Sequence, residues 1–310
     1  MELYIKNKLK MGCSSCNKQN LILEQNYEMN EKNFGKFKKE SHSSKIEEKI
    51  IEDDLNELAT IYPQKKNGIK VEKRGPIENE IDNTFYCGEW DINNNIQHGR
   101  GIKFWLDGNA FIGYWQNGKA CGKGILYHFN GDICEGDWLD NKPNGYGVYI
   151  HKDGTRYEGE WKNDKQNGNG KEIWADGSFY EGEFVDGKKN GKGKFLWADG
   201  STYEGNFTNN DINGNGTYIF ADKRKYIGAW VDNKLNGKGI FIWPDGRKFE
   251  GEYKDDKKEG FGIFEWTDGR KFRGLWKNGK QDGEGEVYFP IEQKWRKGIW
   301  KDGRRIKWIE

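Results

Sequence analysis

No apolar run in this chain approaches the roughly 20 residues that a membrane-spanning helix requires, so no segment reads as a helical transmembrane anchor. Net charge is nearly missing as well. Lys and Arg number 51 and Asp and Glu 50, leaving +1 over 310 residues. No global field recruits nucleic acid, and any charged patch must be local. Cysteines are few and odd in number: Cys13, Cys16, Cys87, Cys121 and Cys134 form no even disulfide framework, and no secretory leader is apparent, which points to a reducing compartment. Aliphatic residues are sparse too. Apolar residues make up 34%, while 14 Trp and 43 Gly stand out. That balance predicts many short strands and tight turns instead of a helix-walled core.

Two unlike parts follow along the chain. Residues 1–80 are polar, mixed in charge and aperiodic, and read as a flexible arm with one exception. Over 44–62, Ile46, Ile50, Ile51, Leu55, Leu58 and Ile61 fall on one helical stripe, Ser44 and Glu47 fit a capping box, and Pro63 supplies the stop. The expectation is an amphipathic helix whose stripe docks on the same molecule or meets a partner or membrane.

From 85 to 310 the chain is periodic. The glycine at the centre of each aromatic-x-Gly unit recurs at 88, 113, 136, 159, 182, 205, 228, 251, 274 and 298, with an interval of 23 from Gly113 to Gly274. Such an interval marks a repeat array. Within YEGEWKNDKQNGNG, alternation puts Tyr157, Gly159 and Trp161 on one face of a strand and Glu158 and Glu160 on the other. Gly168, Gly170 and the strand to Trp174 return antiparallel, and Asp176-Gly177 turns into the next unit. Gly159, Gly168 and Gly170 are expected to leave slots in which rings lie. Asp222-Lys223 breaks the Asp-Gly rule, so that turn should be strained or built differently. A lone hairpin cannot bury enough surface to fold; stacked copies share hydrogen bonds and ring faces.

The sentence YEGEW-x-N-x-K-x-NGxG followed by DG resembles the MORN repeat, in nine full copies and a partial tenth over about 85–298. Departures are local: Cys134 stands where Tyr is expected, Phe184 and Phe207 replace Trp, and Arg296 replaces an aromatic. The resemblance implies an all-β fold, an elongated single-layer array of stacked antiparallel hairpins. It also implies a shallow aromatic groove, assigned to Tyr157, Trp161, Trp174, Tyr180, Trp197, Tyr203, Tyr226, Trp230, Trp243, Trp266 and Trp276. Proteins similar to this act as scaffolds or linkers at membranes, cytoskeletal assemblies and cilia. The expectation is therefore a non-catalytic scaffold with cytoskeletal or ciliary protein partners, and with an anionic membrane as a further one. It would sit at the cytoplasmic face of a membrane, the cell cortex or a cilium. A homodimer through Trp295, Trp300 and Trp308 is a further option, since an array end needs a cap.

Several motifs imitate other chemistry. GxxxxGK occurs at 113–119, 182–188 and 274–280, yet no Ser or Thr follows and no helix is expected there, so no nucleotide is. Asn209-x-Asp211-x-Asn213-Gly214 lacks the closing Glu of a calcium loop, with Phe220 in its place. His128 and His151 occupy the slot of Trp174 and read as stacking substitutes. The Glu pairs at 158/160, 181/183 and 250/252 recur in register and read as a solvated row. No metal, cofactor or nucleic-acid partner is expected.

Two features remain. MGCSSC at 11–16 resembles the start of dually acylated proteins, with Gly12 for myristate and Cys13 and Cys16 for palmitate if translation starts at Met11. Lys32, Lys36, Lys38 and Lys39, interleaved with Phe34 and Phe37, suit anionic lipid as a second anchoring signal. In the later repeats, Arg224-Lys225, Arg247-Lys248 and Arg270-Lys271 take equivalent positions after the turn. They form either a stripe for an anionic partner or a salt ladder with the Glu row.

Overall fold

A computed structural model describes residues 69–79 and 83–309. The expected helix over 44–62 lies outside the described residues, as do Gly12, Cys13, Cys16, Lys32, Lys36, Lys38 and Lys39. The described residues are all-β, with 21 strands and no helix among them. They fall into two compact units: residues up to 129 with 138–141, and residues 130–137 with those from 142 onward.

In the first unit, β1 (Val71–Asn79) pairs antiparallel with β2 (Thr84–Asp91). β1 lies within the stretch 1–80 expected to be a flexible arm. It is exposed along nearly its whole length, so no alternation of apolar residues marks it. Pro76 sits at the register shift between Arg74 and Ile77, where its missing N–H interrupts the ladder least. The Arg74 guanidinium lies 5.0 Å from the Trp90 ring and helps hold the strand.

The second unit repeats one construction, seen in Arg156–Lys162 and Lys165–Ile173. Between these strands Asn163 and Asp164 have φ of 50° and 70°. Positive φ at both central residues is the type I′ condition, which matches the twist of a hairpin and suits Asn and Asp. The next connection, Ala175-Asp176-Gly177, has positive φ only at Gly177, with Gly177 N–H bonded to Trp174 O at 3.0 Å and Trp174 N–H to Ser178 O at 2.9 Å. Asp176 Oδ1 accepts the Ser178 amide at 2.9 Å, which explains Asp one place before the glycine. At Asp222-Lys223 the same frame is kept: Lys223 N–H reaches Phe220 O at 2.9 Å, and Lys223 adopts φ 69°. The turn is strained as expected, but it is not built differently.

Glycines at the cross-strand centre are required by close approach. A Cβ on Gly159 would lie 2.5 Å from Gly170 Cα and 2.7 Å from the Tyr157 hydroxyl. Gly168 has a different purpose from the ring slot expected. Its φ is 71°, and the three atoms nearest a Cβ there would all belong to the Glu160 carboxylate, the closest at 2.6 Å. Glu160 in turn accepts the Asn169 amide at 3.0 Å, and Glu183 accepts that of Lys192 at 2.8 Å. Part of the Glu row therefore satisfies backbone at the bulge.

Each type I′ turn also grips the preceding repeat. Asn210, Asn233 and Asp256 donate their amides to Lys189, Ile212 and Leu235 carbonyls at 2.9–3.1 Å. Their side-chain oxygens accept the amides of those same residues at 2.7–2.8 Å. Stacking is thus written into the turn residues.

Candidate functional site

Two aromatic layers run through the second unit, and they separate the residues that the sequence reading grouped as one groove. The inner layer is a zipper of edge-to-face rings. Tyr180 meets Phe184 and Phe207 at 5.1 and 5.0 Å, Tyr203 meets Phe207 and Trp230 at 5.2 and 5.8 Å, and Tyr226 meets Trp230 and Tyr253 at 5.2 and 5.3 Å. Phe249 and Phe272 continue it through Trp276 to Trp300. Tyr157, Tyr180, Tyr203 and Tyr226 are at most 2% exposed, and Trp230 and Trp276 are also buried. These six belong to the core, although Tyr157 also lines a shallow cavity with Tyr149, His151 and Trp161. Each tyrosine hydroxyl donates to the backbone carbonyl three residues on, at 2.9–3.1 Å, where the strand bulges. Burial raises their pKa values, with Tyr203 and Tyr226 pushed up to about 12. The replacements Phe184 and Phe207 keep the zipper.

The indole nitrogens show where replacement does matter. Trp161 and Trp276 donate to Gly147 O and Gly262 O at 3.2 Å, tying one repeat to the one before. Phe184, Phe207 and Tyr253 carry no such donor, and Trp230 Nε1 is buried without a partner.

The outer layer is the surface that can meet another molecule. Trp161, Trp174, Trp197, Trp243 and Trp266 are half-buried, and Phe195, Tyr218 and Phe220 join them. Trp174 stacks on Phe195 at 5.2 Å and 19°, Phe195 on Trp197 at 4.4 Å and 22°, and Trp243 and Trp266 flank Phe264 at 5.6 and 4.8 Å. His151 lies 4.7 Å from Tyr149, a ring in the stacking slot.

The arginines of the later repeats border this layer. Arg224, Arg247 and Arg270 lie 4.8, 5.5 and 5.5 Å from the rings of Phe220, Trp243 and Trp266. Each also pairs with the aspartate of its own turn, Asp222, Asp245 or Asp268, at 2.7–2.8 Å. Their ladder is to the turn aspartates, and the lysines supply the link to glutamate: Lys248 to Glu250 at 2.8 Å and Lys271 to Glu265 at 3.2 Å. Lys225 faces Ile219 and Ile242 across the strands and has no acidic partner within ion-pair distance among the described residues. At the C-terminal end Trp300 is buried against Phe272 and Trp308, whereas Trp295 is 38% exposed beneath Arg273.

Sequence reasoning missed one class of residue. The seventh position after the central glycine points inward, and Ile212 and Leu235 are buried there, yet Lys189 and Lys258 occupy it in two repeats. A lysine in a column that elsewhere holds only uncharged residues (Ala120, Pro143, Gln166, Ile212, Leu235 and Gln281) was the available signal.

No curated protein matches the chain. Among solved structures, the TCP10 domain of Danio rerio CPAP is similar at 13% identity, covering 66% of this chain and 96% of that one, with a TM-score of 0.36. The TCP domain of Drosophila melanogaster SAS-4, solved with a proline-rich motif, is similar at 16% identity over 60% and 93%, with a TM-score of 0.31. The MORN repeat family matches residues 86–110, 111–133, 134–156, 157–179, 180–202, 203–223, 226–246, 249–269 and 272–291. These nine consecutive matches span most of the described residues and coincide with the hairpin period, and the chain therefore belongs to the MORN-repeat family.

Proposed function

We propose that this protein is a non-catalytic scaffold whose outer aromatic layer and adjoining cations bind protein, linking a membrane or the cell cortex to cytoskeleton. The observation that supports this is the division of the rings into two layers. The inner zipper is used up in holding repeats together. The outer row keeps half-exposed indoles in register with arginines, an amphipathic surface of the kind enriched at interfaces. The membrane end of the link is assigned to Gly12, Cys13 and Cys16 with the lysines at 32, 36, 38 and 39.

Co-sedimentation of the purified full chain with polymerised actin, with microtubules and with phosphatidylserine vesicles tests the reading. Lys225→Glu, Lys248→Glu and Lys271→Glu together are expected to weaken filament or vesicle binding at least tenfold. Binding to none of the three, or binding indifferent to the triple reversal, would sink it. Expression in cells with Gly12→Ala should release the protein from membrane; unaltered placement in cilia would favour an axonemal component that binds protein alone.

A further inference from the structure

Lys189 and Lys258 hold equivalent inward positions, but only one is neutralised. The Lys189 ammonium lies over the rings of Trp174, Tyr180 and Phe184 at 4.8, 5.2 and 5.9 Å. Glu172, seventeen residues earlier, reaches it at 2.9 Å, and the two side chains are 14% and 19% exposed. Cation, rings and carboxylate make a closed set.

Lys258 repeats the cage with more rings and no anion. Its ammonium is 5.2 Å from Trp243, 4.8 Å from Phe249, 4.8 Å from Phe264 and 4.7 Å from Trp276. The residue seventeen earlier is Phe241, and no carboxylate lies within ion-pair distance among the described residues. The charge that does reach it is Arg247, of the same sign, and the Asp245 carboxylate is already held by that guanidinium at 2.8 Å. Burial and then Arg247 pull the Lys258 ammonium down to about 8. Ring faces attract a cation, but they do not replace the solvation that half-burial removes. The residue is only partly buried, which leaves a route for an outside group to approach the ammonium.

We propose that the Lys258 cage is a docking site for a Glu or Asp side chain of an acidic protein segment, whose carboxylate supplies from outside the counter-charge that Glu172 gives Lys189, the place of Glu172 itself being filled here by the buried Phe241 ring. The inference rests on the reading of the array as a protein-binding surface and names the chemistry of the partner. A carboxylate fits because this chain already sets one against the same cage. The surroundings complement it in charge and shape, with Arg247 alongside and the half-buried Trp243 and Trp266 as apolar walls for the flanking residues. A lipid headgroup would bring its charge at the surface of a bilayer, which a pocket set among four rings meets less readily than one side chain.

Fluorescence anisotropy of a labelled decaglutamate peptide against the full chain tests this, with a decaglutamine peptide as the uncharged control. Lys258→Leu is expected to weaken decaglutamate binding at least tenfold. Lys257→Gln, which removes the same charge from an exposed neighbour, should change it less than twofold. Leu235 already fills the equivalent position elsewhere, so the variant is expected to fold, as its melting curve will report. Phe241→Glu supplies a second approach: an internal carboxylate should block the peptide while Lys258 is intact. The proposal is overturned if wild-type chain ignores decaglutamate, if Lys258→Leu binds it normally, or if Lys258→Leu loses phosphatidylserine vesicles and keeps the peptide. Peptide binding lost in the Lys225, Lys248 and Lys271 reversal but kept in Lys258→Leu would overturn the pocket and leave the scaffold reading intact. Failure of the filament and vesicle assays would remove the scaffold reading on separate grounds.

Discussion

Single residues in this array carry conflicts that the repeat does not require. Lys223 is held at φ 69° where other turns place glycine. A left-handed residue with a Cβ costs roughly 1–2 kcal/mol, so Lys223→Gly should stabilise the chain by about 1 kcal/mol, read as a rise in thermal midpoint. No change would mean that the turn relaxes at no cost. Lys258 presents a second conflict, with a sign that depends on pH. Its ammonium gives up its proton near pH 8 in the folded chain, against an ordinary 10.5. Between those values the unfolded state binds more protons, so folding becomes more favourable as pH rises through that window. Lys258→Leu should therefore raise stability at pH 7 by about 1–2 kcal/mol. That advantage should shrink as pH approaches 10 in urea titrations; an advantage that stays constant would count against an unneutralised ammonium.

At the level of the hairpin, the turn is the joint. Asn233 satisfies the Ile212 amide through Oδ1 at 2.7 Å and has φ 65°. Asn233→Gly keeps the backbone conformation and deletes the acceptor, so a loss of about 1–2 kcal/mol is expected from the orphaned amide. Gly182→Ala should be costlier, by about 3 kcal/mol or more, since its Cβ would stand 2.6 Å from Gly193 Cα. A melting point unmoved by either change would show that neighbouring repeats are not coupled through these contacts. The sequence disclosed much of this level. The interval of 23, the aspartate-glycine turns and the facing glycines all reflect local backbone demands, which recur because the same geometry recurs. What was hidden depended on neighbours. Tyr180 and Trp197 are both aromatic and both lie in strands, yet one is fully buried and the other borders solvent, a distinction set by the next repeat. Gly168 read as a ring slot because its spacing resembles that of Gly170, whereas its positive φ and the Glu160 carboxylate explain it. The strand Val71–Asn79 left no trace because an edge strand with little burial needs no apolar alternation.

Across the whole molecule, the buried phenols make stability depend on alkaline pH. With Tyr203 and Tyr226 raised to about 12, and Tyr157 and Tyr180 raised as well, the folded chain keeps these groups neutral after the unfolded chain has ionised them. Their contribution is complete below pH 10 and is lost as pH climbs beyond it. The urea midpoint should fall steeply between pH 10 and 12, and Tyr226→Phe should flatten that fall while costing about 1 kcal/mol at pH 7 through the lost bond to Ala229 O. A midpoint level across that range would contradict the burial of these rings. The missing indole donors have a mechanical corollary. From Phe184 to Tyr253 the seams lack an indole donor and are closed by ring contacts, backbone and the turn side chains of Asn210 and Asn233, whereas at Trp161 and Trp276 the indole adds a clasp across the strands. Amides over 180–253 should exchange with deuterium faster than those over 272–300. A load drawn along the strands' stacking direction would then be absorbed there first, making the middle of this array its spring and the repeats on either side its stiff grips.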